Sequence, residues 1–230
     1  MRNKSTRLES EAGNGFKLLT LTGKMPGYSF SLKAWDTCPG AKMGEALYRD
    51  GSLLSDTATV CGSCYARKGN YRFPSVVNVQ DARTRWTRDR VADGTFASLM
   101  IPEILSATLT SAVPYFRIHD AGDFFSPRYV DAWIEVCRAL PNVQFWAPTR
   151  SFLIPSILAR LAVLASLPNV TIRPSALTVD SPAPVVAGLH AGSEVSTDGG
   201  TCPARFQGNS CGPCRSCWTD RDTVVSYHAH

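Results

Sequence analysis

The tetrapeptide Leu-Pro-Asn-Val occurs twice, at residues 140–143 and 167–170, and each copy closes a helical pattern and opens an apolar strand. The copies lie 27 residues apart, about the length of one strand, one helix and their turns. Strands joined by helical crossovers run parallel, so this repeat excludes an all-helical chain and a simple antiparallel meander. The periodicity predicts strand 115–119, helix 127–140, strand 143–147, helix 155–167 and strand 170–173. Upstream it predicts a short strand at 28–32 and helices at 76–91 and 96–109, the first with Val79, Ala82 and Trp86 as its inner stripe. The fold class is α/β: parallel βα repeats forming a partial (βα) barrel or an open parallel sheet, with a Cys-rich C-terminal segment.

The predicted strands are not apolar on both faces, as buried parallel strands usually are. Phe116, Ile118, Phe145, Ala147, Val170 and Ile172 share one parity; Arg117, His119, Gln144, Trp146, Thr171 and Arg173 share the other. A polar face fits either a ligand cavity or a sheet surface open to water. The residues at the strand ends favour the cavity: His119-Asp120-Ala121-Gly122-Asp123, then Thr149-Arg150-Ser151, then Arg173-Pro174-Ser175. Sites in parallel α/β folds lie at the C-terminal ends of strands.

With 230 residues, 44% of them hydrophobic, the chain can bury one substantial core. Residues 1–27 read as a flexible polar lead-in, 28–218 as a single α/β metal-binding domain and 219–230 as a C-terminal tail. No run of about 18 apolar residues is present, so no membrane partner is expected. Met1-Arg2-Asn3-Lys4 is not followed by the apolar stretch of an export signal, which predicts a cytoplasmic protein. The net charge of +5 is concentrated in residues 67–90, where Arg67, Lys68, Arg72, Arg83, Arg85, Arg88 and Arg90 face only Asp81 and Asp89. This excess suits nucleic acid or phosphate; the Asp81/Arg85 and Arg85/Asp89 spacing equally suits a solvated helix face.

Eight cysteines in a reducing compartment point to metal ligation before disulfides. Cys137 sits on the apolar stripe of the 127–140 helix and reads as a small core residue. Cys202, Cys211, Cys214 and Cys217 supply four ligands, enough for zinc or for a 4Fe-4S cluster. Cys38, Cys61 and Cys64 supply three, which leaves a cluster one free iron position. A mixed partition, with both groups meeting at one cluster, is equally compatible with the spacing. The three-ligand set beside a polar cavity favours iron over zinc.

Asp36-Thr37-Cys38-Pro39-Gly40, Cys61-Gly62-Ser63-Cys64-Tyr65-Ala66, the stretch from Arg117 through Gly122-Asp123 to Ser126, Thr149-Arg150-Ser151 and the closing cysteines resemble the gene product 88 domain family of phage and prophage proteins. The resemblance covers residues 28–218 and implies a phage-encoded protein in the host cytosol. Cys-x-x-Cys-Tyr-Ala ahead of βα units is also similar, more loosely, to radical S-adenosylmethionine enzymes. That likeness implies a cluster on Cys38, Cys61 and Cys64, with the Gly122-Asp123 turn near the methionine amine. Those enzymes space their cysteines by three residues and then two, whereas 22 residues separate Cys38 from Cys61.

The combined expectation is an iron-sulfur enzyme with one or two clusters, acting on a small-molecule or nucleotide-like ligand. Arg117, Asp120, Gly122, Thr149, Arg150, Ser151 and Arg173 would hold that ligand, and His119 and Asp123 would orient it or exchange protons with it. Two other readings remain: a zinc-stabilised protein binding nucleic acid through residues 67–90, and a non-catalytic iron-sulfur redox or structural module.

Overall fold

Five short strands carry the molecule. The computed structural model describes residues 7–8, 16–53 and 58–229. β1 (Arg7–Leu8) and β2 (Phe16–Lys17) form a small antiparallel ladder. β3 (Thr20–Leu21), β4 (Tyr28–Ser29), β5 (Tyr115–Arg117), β6 (Gln144–Thr149) and β7 (Val170–Pro174) then lie side by side in chain order. β3 is antiparallel to β4, and every other pair is parallel. The order has two ends, so the result is a mostly parallel open sheet and not a closed barrel.

Register explains the two parities. Phe116 stands opposite Phe145 and Phe145 opposite Val170, while Arg117 stands opposite Trp146 and Trp146 opposite Thr171. The apolar row is buried with α2 (Pro74–Ala92), α3 (Phe96–Ser111), α4 (Pro127–Ala139) and α5 (Pro155–Ala165) in one continuous core. Trp133 of α4 packs there with Phe30, Phe96 and Phe116. α4 begins where Pro127 supplies a preset first-turn φ and the Ser126 hydroxyl accepts from Tyr129 N–H at 3.2 Å.

The opposite face is covered by the C-terminal segment. Trp218, in α6 (Ser216–Thr219), stacks edge-on against Trp146 at 5.1 Å and donates its indole N–H to the Phe116 carbonyl at 3.0 Å. Met25 joins these two tryptophans in a second, smaller core. β8 (Ser193–Ser196) and β9 (Val225–His228) pair in parallel alongside, so part of the expected tail is sheet. The expected lead-in also differs: Leu18, Leu19 and Met25 are buried, and β3 is an edge of the main sheet. Arg83 holds this stretch by donating to the carbonyls of Lys17 at 2.8 Å and Leu19 at 3.5 Å. Residues 1–6 and 9–15 of the lead-in lie outside the described residues. Among the described residues no helix is long and apolar enough to cross a membrane.

Candidate functional site

The loops that leave the C-terminal ends of β5, β6 and β7 converge, and the first three cysteines are carried to that edge by two separate devices. Cys38 precedes α1 (Pro39–Arg49), a helix that the sequence periodicity did not reveal. A Cβ on Gly40 would lie 2.0 Å from the Arg150 carbonyl oxygen and 2.7 Å from the Ser151 nitrogen, so only glycine lets the first turn of α1 press on the loop after β6. Cys61 and Cys64 lie on a turn closed by Cys64 N–H donating to Cys61 C=O at 3.3 Å. The chain before it is held beyond β7: Val60 N–H donates to Leu177 C=O at 2.9 Å, and Thr59 bridges Thr178.

The three thiols share one electrostatic neighbourhood. Burial pushes the Cys38 thiol up to about 12, and the charges of Asp123, Cys61 and Cys64 push the same way. Burial also raises Cys61; Arg150 acts to lower it, while Cys64, Asp123 and Glu45 raise it. Thr59 Oγ1 donates to Glu45 and places that carboxylate beside the set.

Asp123 ties the loops together. Its carboxylate accepts from Thr149 Oγ1 at 2.7 Å, Arg150 N–H at 2.9 Å and Phe124 N–H at 2.8 Å. Burial raises its pKa, and these three donors oppose the rise. Gly122 has φ +83°, and a Cβ there would meet Leu32 Cβ and Thr37 Oγ1 at 2.7 Å, so the turn sits directly on the chain leading to Cys38. Arg150 donates from Nε to the Ala176 carbonyl at 2.9 Å, its charge acts on Cys61, and among the described residues its terminal nitrogens make no hydrogen bond or ion pair. Ser151 is fully buried, and its N–H donates to Thr149 Oγ1 at 3.0 Å.

Arg117 and Asp120 form a second layer under this edge. Arg117 Nη1 pairs with Asp120 Oδ1 at 3.2 Å, its Nε donates to the His119 carbonyl at 2.6 Å, and the guanidinium lies 4.7 Å over the Trp146 ring. Tyr71 donates to Asp120 Oδ2 at 2.6 Å, and Tyr65 donates to the Asp120 carbonyl. The segment that follows Cys64 is therefore docked onto the end of β5.

His119 does not face this site. It is buried against Phe124 and Tyr129, with Nε2 3.0 Å from the Tyr129 hydroxyl. Burial, with the Arg117 charge adding, lowers its pKa to about 3, so the ring is neutral and is no proton carrier near pH 7. Arg173 departs from expectation as well. It is fully buried and donates to the carbonyls of Ala191 and Thr223 at 2.8 Å, Ser216 at 3.0 Å and Asp220. A guanidinium committed to four carbonyls fastens the C-terminal segment and does not clamp a ligand. The polar parity thus meets a covering layer of this same chain, and the cavity expected over the whole face is absent there.

That layer contains the other four cysteines. Cys202 N–H donates to Ser226 C=O at 3.0 Å, Cys211 N–H to Lys24 C=O at 2.8 Å and Cys214 N–H to Cys211 C=O at 3.0 Å. Cys217 Sγ is 3.3 Å from the Tyr227 hydroxyl. Burial raises Cys211, with Cys202 and Cys214 adding, and pushes Cys217 up to about 11, with Cys202 and Cys211 adding. All eight cysteines are free thiols, and Cys137 is alone in the core. Among the described residues no group of three or more His, Cys, Asp or Glu side chains forms a ready cage for a metal ion.

Sequence reasoning missed Glu45 and Tyr227, and gave no role to Tyr65, which it quoted in the Cys-x-x-Cys-Tyr-Ala motif, or to Tyr71. Tyr65 and Tyr71 had a usable signal in their position just after Cys64; Glu45 and Tyr227 are brought in by tertiary folding alone.

A family model described as Gene product 88 matches residues 2–220. The Gene 88 protein of Mycobacterium phage L5 is 39% identical over 106 residues, 44% of this chain and 44% of that protein. The Gene 88 protein of Mycobacterium phage D29 is 38% identical over 106 residues, 44% of this chain and 43% of that protein. The match thus spans less than half the length of these curated relatives. No solved structure matches the chain.

Proposed function

The chain belongs to the gene product 88 family, and from that premise we propose that it is an iron-sulfur protein of phage type, with its reactive centre on Cys38, Cys61 and Cys64. One observation supports the reading: the chain carries Cys38 against the loop after β6 and the Cys61–Cys64 turn against the chain beyond β7, both at the C-terminal edge of the sheet, while Cys202, Cys211, Cys214 and Cys217 lie apart within the C-terminal segment. The donor types suit such a cluster, since soft thiolates favour iron-sulfur chemistry and a bound cation would offset their mutual repulsion. The side chains as placed form no ready cage among the described residues, so binding would have to draw them together. A 4Fe-4S cluster on three thiolates supplies one-electron chemistry and an iron position open to a ligand.

The chain's own residues favour an amino-acid-like ligand at that position. The Arg150 guanidinium is available for a carboxylate, and Asp123, fixed by Thr149 and the Arg150 backbone, keeps the Gly122 turn and the β6 loop at a set separation. S-adenosylmethionine has these groups and is the ligand to test first. The four-thiol set serves a structural role here, holding the covering segment to the sheet with either iron or zinc.

Anaerobic purification tests the reading. The protein should be brown, contain iron and acid-labile sulfide, and absorb at about 400 nm. Cys61→Ser or Cys64→Ser should abolish the response of the cluster's electron paramagnetic resonance signal to S-adenosylmethionine, and Cys137→Ser should preserve it. A colourless protein carrying only zinc would overturn the iron assignment and favour the zinc-stabilised reading.

A further inference from the structure

The basic stretch 67–90 divides into cations the fold uses and cations it leaves over. Arg83 is buried on Ser31 Oγ at 2.9 Å and on the carbonyls of Lys17 and Leu19. Arg90 pairs with Asp93 at 2.7 Å. Arg67, Lys68, Arg72, Arg85 and Arg88 are exposed, and among the described residues none of them is paired with a carboxylate.

Arg67 and Arg72 line a cavity of about 270 Å³ together with Lys33, Tyr71, Val77 and Gln80. No carboxylate lines it. Lys33 is already matched by Asp36 at 3.4 Å and Asp81 at 2.8 Å, so the uncompensated charge of the cavity is that of the two arginines. Its walls are held from outside: Arg67 lies 4.5 Å over the Trp35 ring, and Tyr71 is anchored to Asp120 at 2.6 Å. The charge continues along α2, where Arg88 reaches the carbonyl of Asp36, the residue whose side chain meets Lys33. Directly after Arg72 stands Phe73, 57% exposed, and the first turn of α2 that follows has no acidic residue.

We propose that this surface binds single-stranded nucleic acid. A backbone phosphate sits between Arg67 and Arg72, neighbouring phosphates follow Lys68, Arg85 and Arg88, and an unstacked base lies on Phe73. The cavity is too small to admit a duplex and large enough for a phosphate with its sugar. An exposed phenylalanine amid arginines suits a base already free of its stack, which a duplex does not offer. The proposal does not rest on the iron-sulfur reading, because none of its residues is a cysteine.

The test is fluorescence anisotropy with a labelled oligothymidylate of about 16 nucleotides, using the full chain. Binding should weaken with salt, by roughly 0.7 in the log–log slope for each phosphate neutralised, so Arg67→Ala with Arg72→Ala, which frees the one phosphate they share, should reduce that slope by about 0.7. Phe73→Ala should lower single-strand affinity roughly tenfold while leaving heparin binding unchanged, since heparin has no base to stack. Lack of binding at low salt by folded protein would overturn the proposal. Equal affinity for duplex, heparin and single strand, with no effect of Phe73→Ala, would also overturn it and leave a general anion-binding surface.

Discussion

The side-chain amide of Asn169 donates to the carbonyls of Cys137 and Leu140 at 3.0 Å and of Val143 at 3.1 Å, so the second copy of the repeated tetrapeptide completes the turn made by the first. Asn142, its counterpart, is exposed. Asn169→Ala should therefore cost about 2 kcal/mol by leaving buried carbonyls unpaired, and Asn142→Ala less than about 0.5 kcal/mol, as measured by urea unfolding. His119 gives a pH signature. Its folded pKa, about 3, lies below the 6.5 of a free imidazole, so its contribution is fully present above about pH 6.5. The contribution falls as pH drops from there toward 3, because the unfolded state takes up the proton first. His119→Gln should flatten the stability profile between those limits, and an unchanged slope in urea melts at several pH values would refute the assignment.

Among the elements, the C-terminal segment matters most, because it turns a polar sheet face into an interior. Trp218→Ala removes the Trp146 contact and the bond to the Phe116 carbonyl, and should cost roughly 3–5 kcal/mol. In a domain of this size that lowers Tm by roughly 10 °C, readable by calorimetry. The βα repeats were legible in the sequence because each strand is followed by a helix of 11 or 13 residues and the unit recurs, and both parities emerged with them. The polar face was misread as a cavity because most of its cover, Trp218 with the carbonyls of Ser216, Asp220 and Thr223 that hold Arg173, is 43 to 102 residues away in sequence from the strands it meets. α1 was missed since its buried positions include Gly40 and Gly44, which contribute no apolar signal. β8 and β9 lie outside the βα repeat, with no long helix between them to mark a crossover.

At the scale of the whole molecule, the seven non-core thiols lie in two regions, one at the C-terminal edge of the sheet and one in the covering segment. If metal holds the four-thiol set, stripping it with a chelator under reducing conditions should expose residues 202–229 to protease, while the core of α3, α4 and α5 stays resistant. Mass spectrometry of the fragments checks this, and early cuts inside α4 would contradict the division. Replacing Cys211 or Cys214 by Ser should reproduce the chelator pattern, and Cys137→Ser should not.

The turn bearing Cys61 and Cys64 is anchored to Leu177 and Thr178, more than a hundred residues further along the chain. A nascent chain still short of that point has its first three cysteines synthesised but nothing to gather them against. The chain through Thr178 must leave the ribosome before that turn can dock, so the place where these thiols meet forms late in synthesis, after the βα units that flank it.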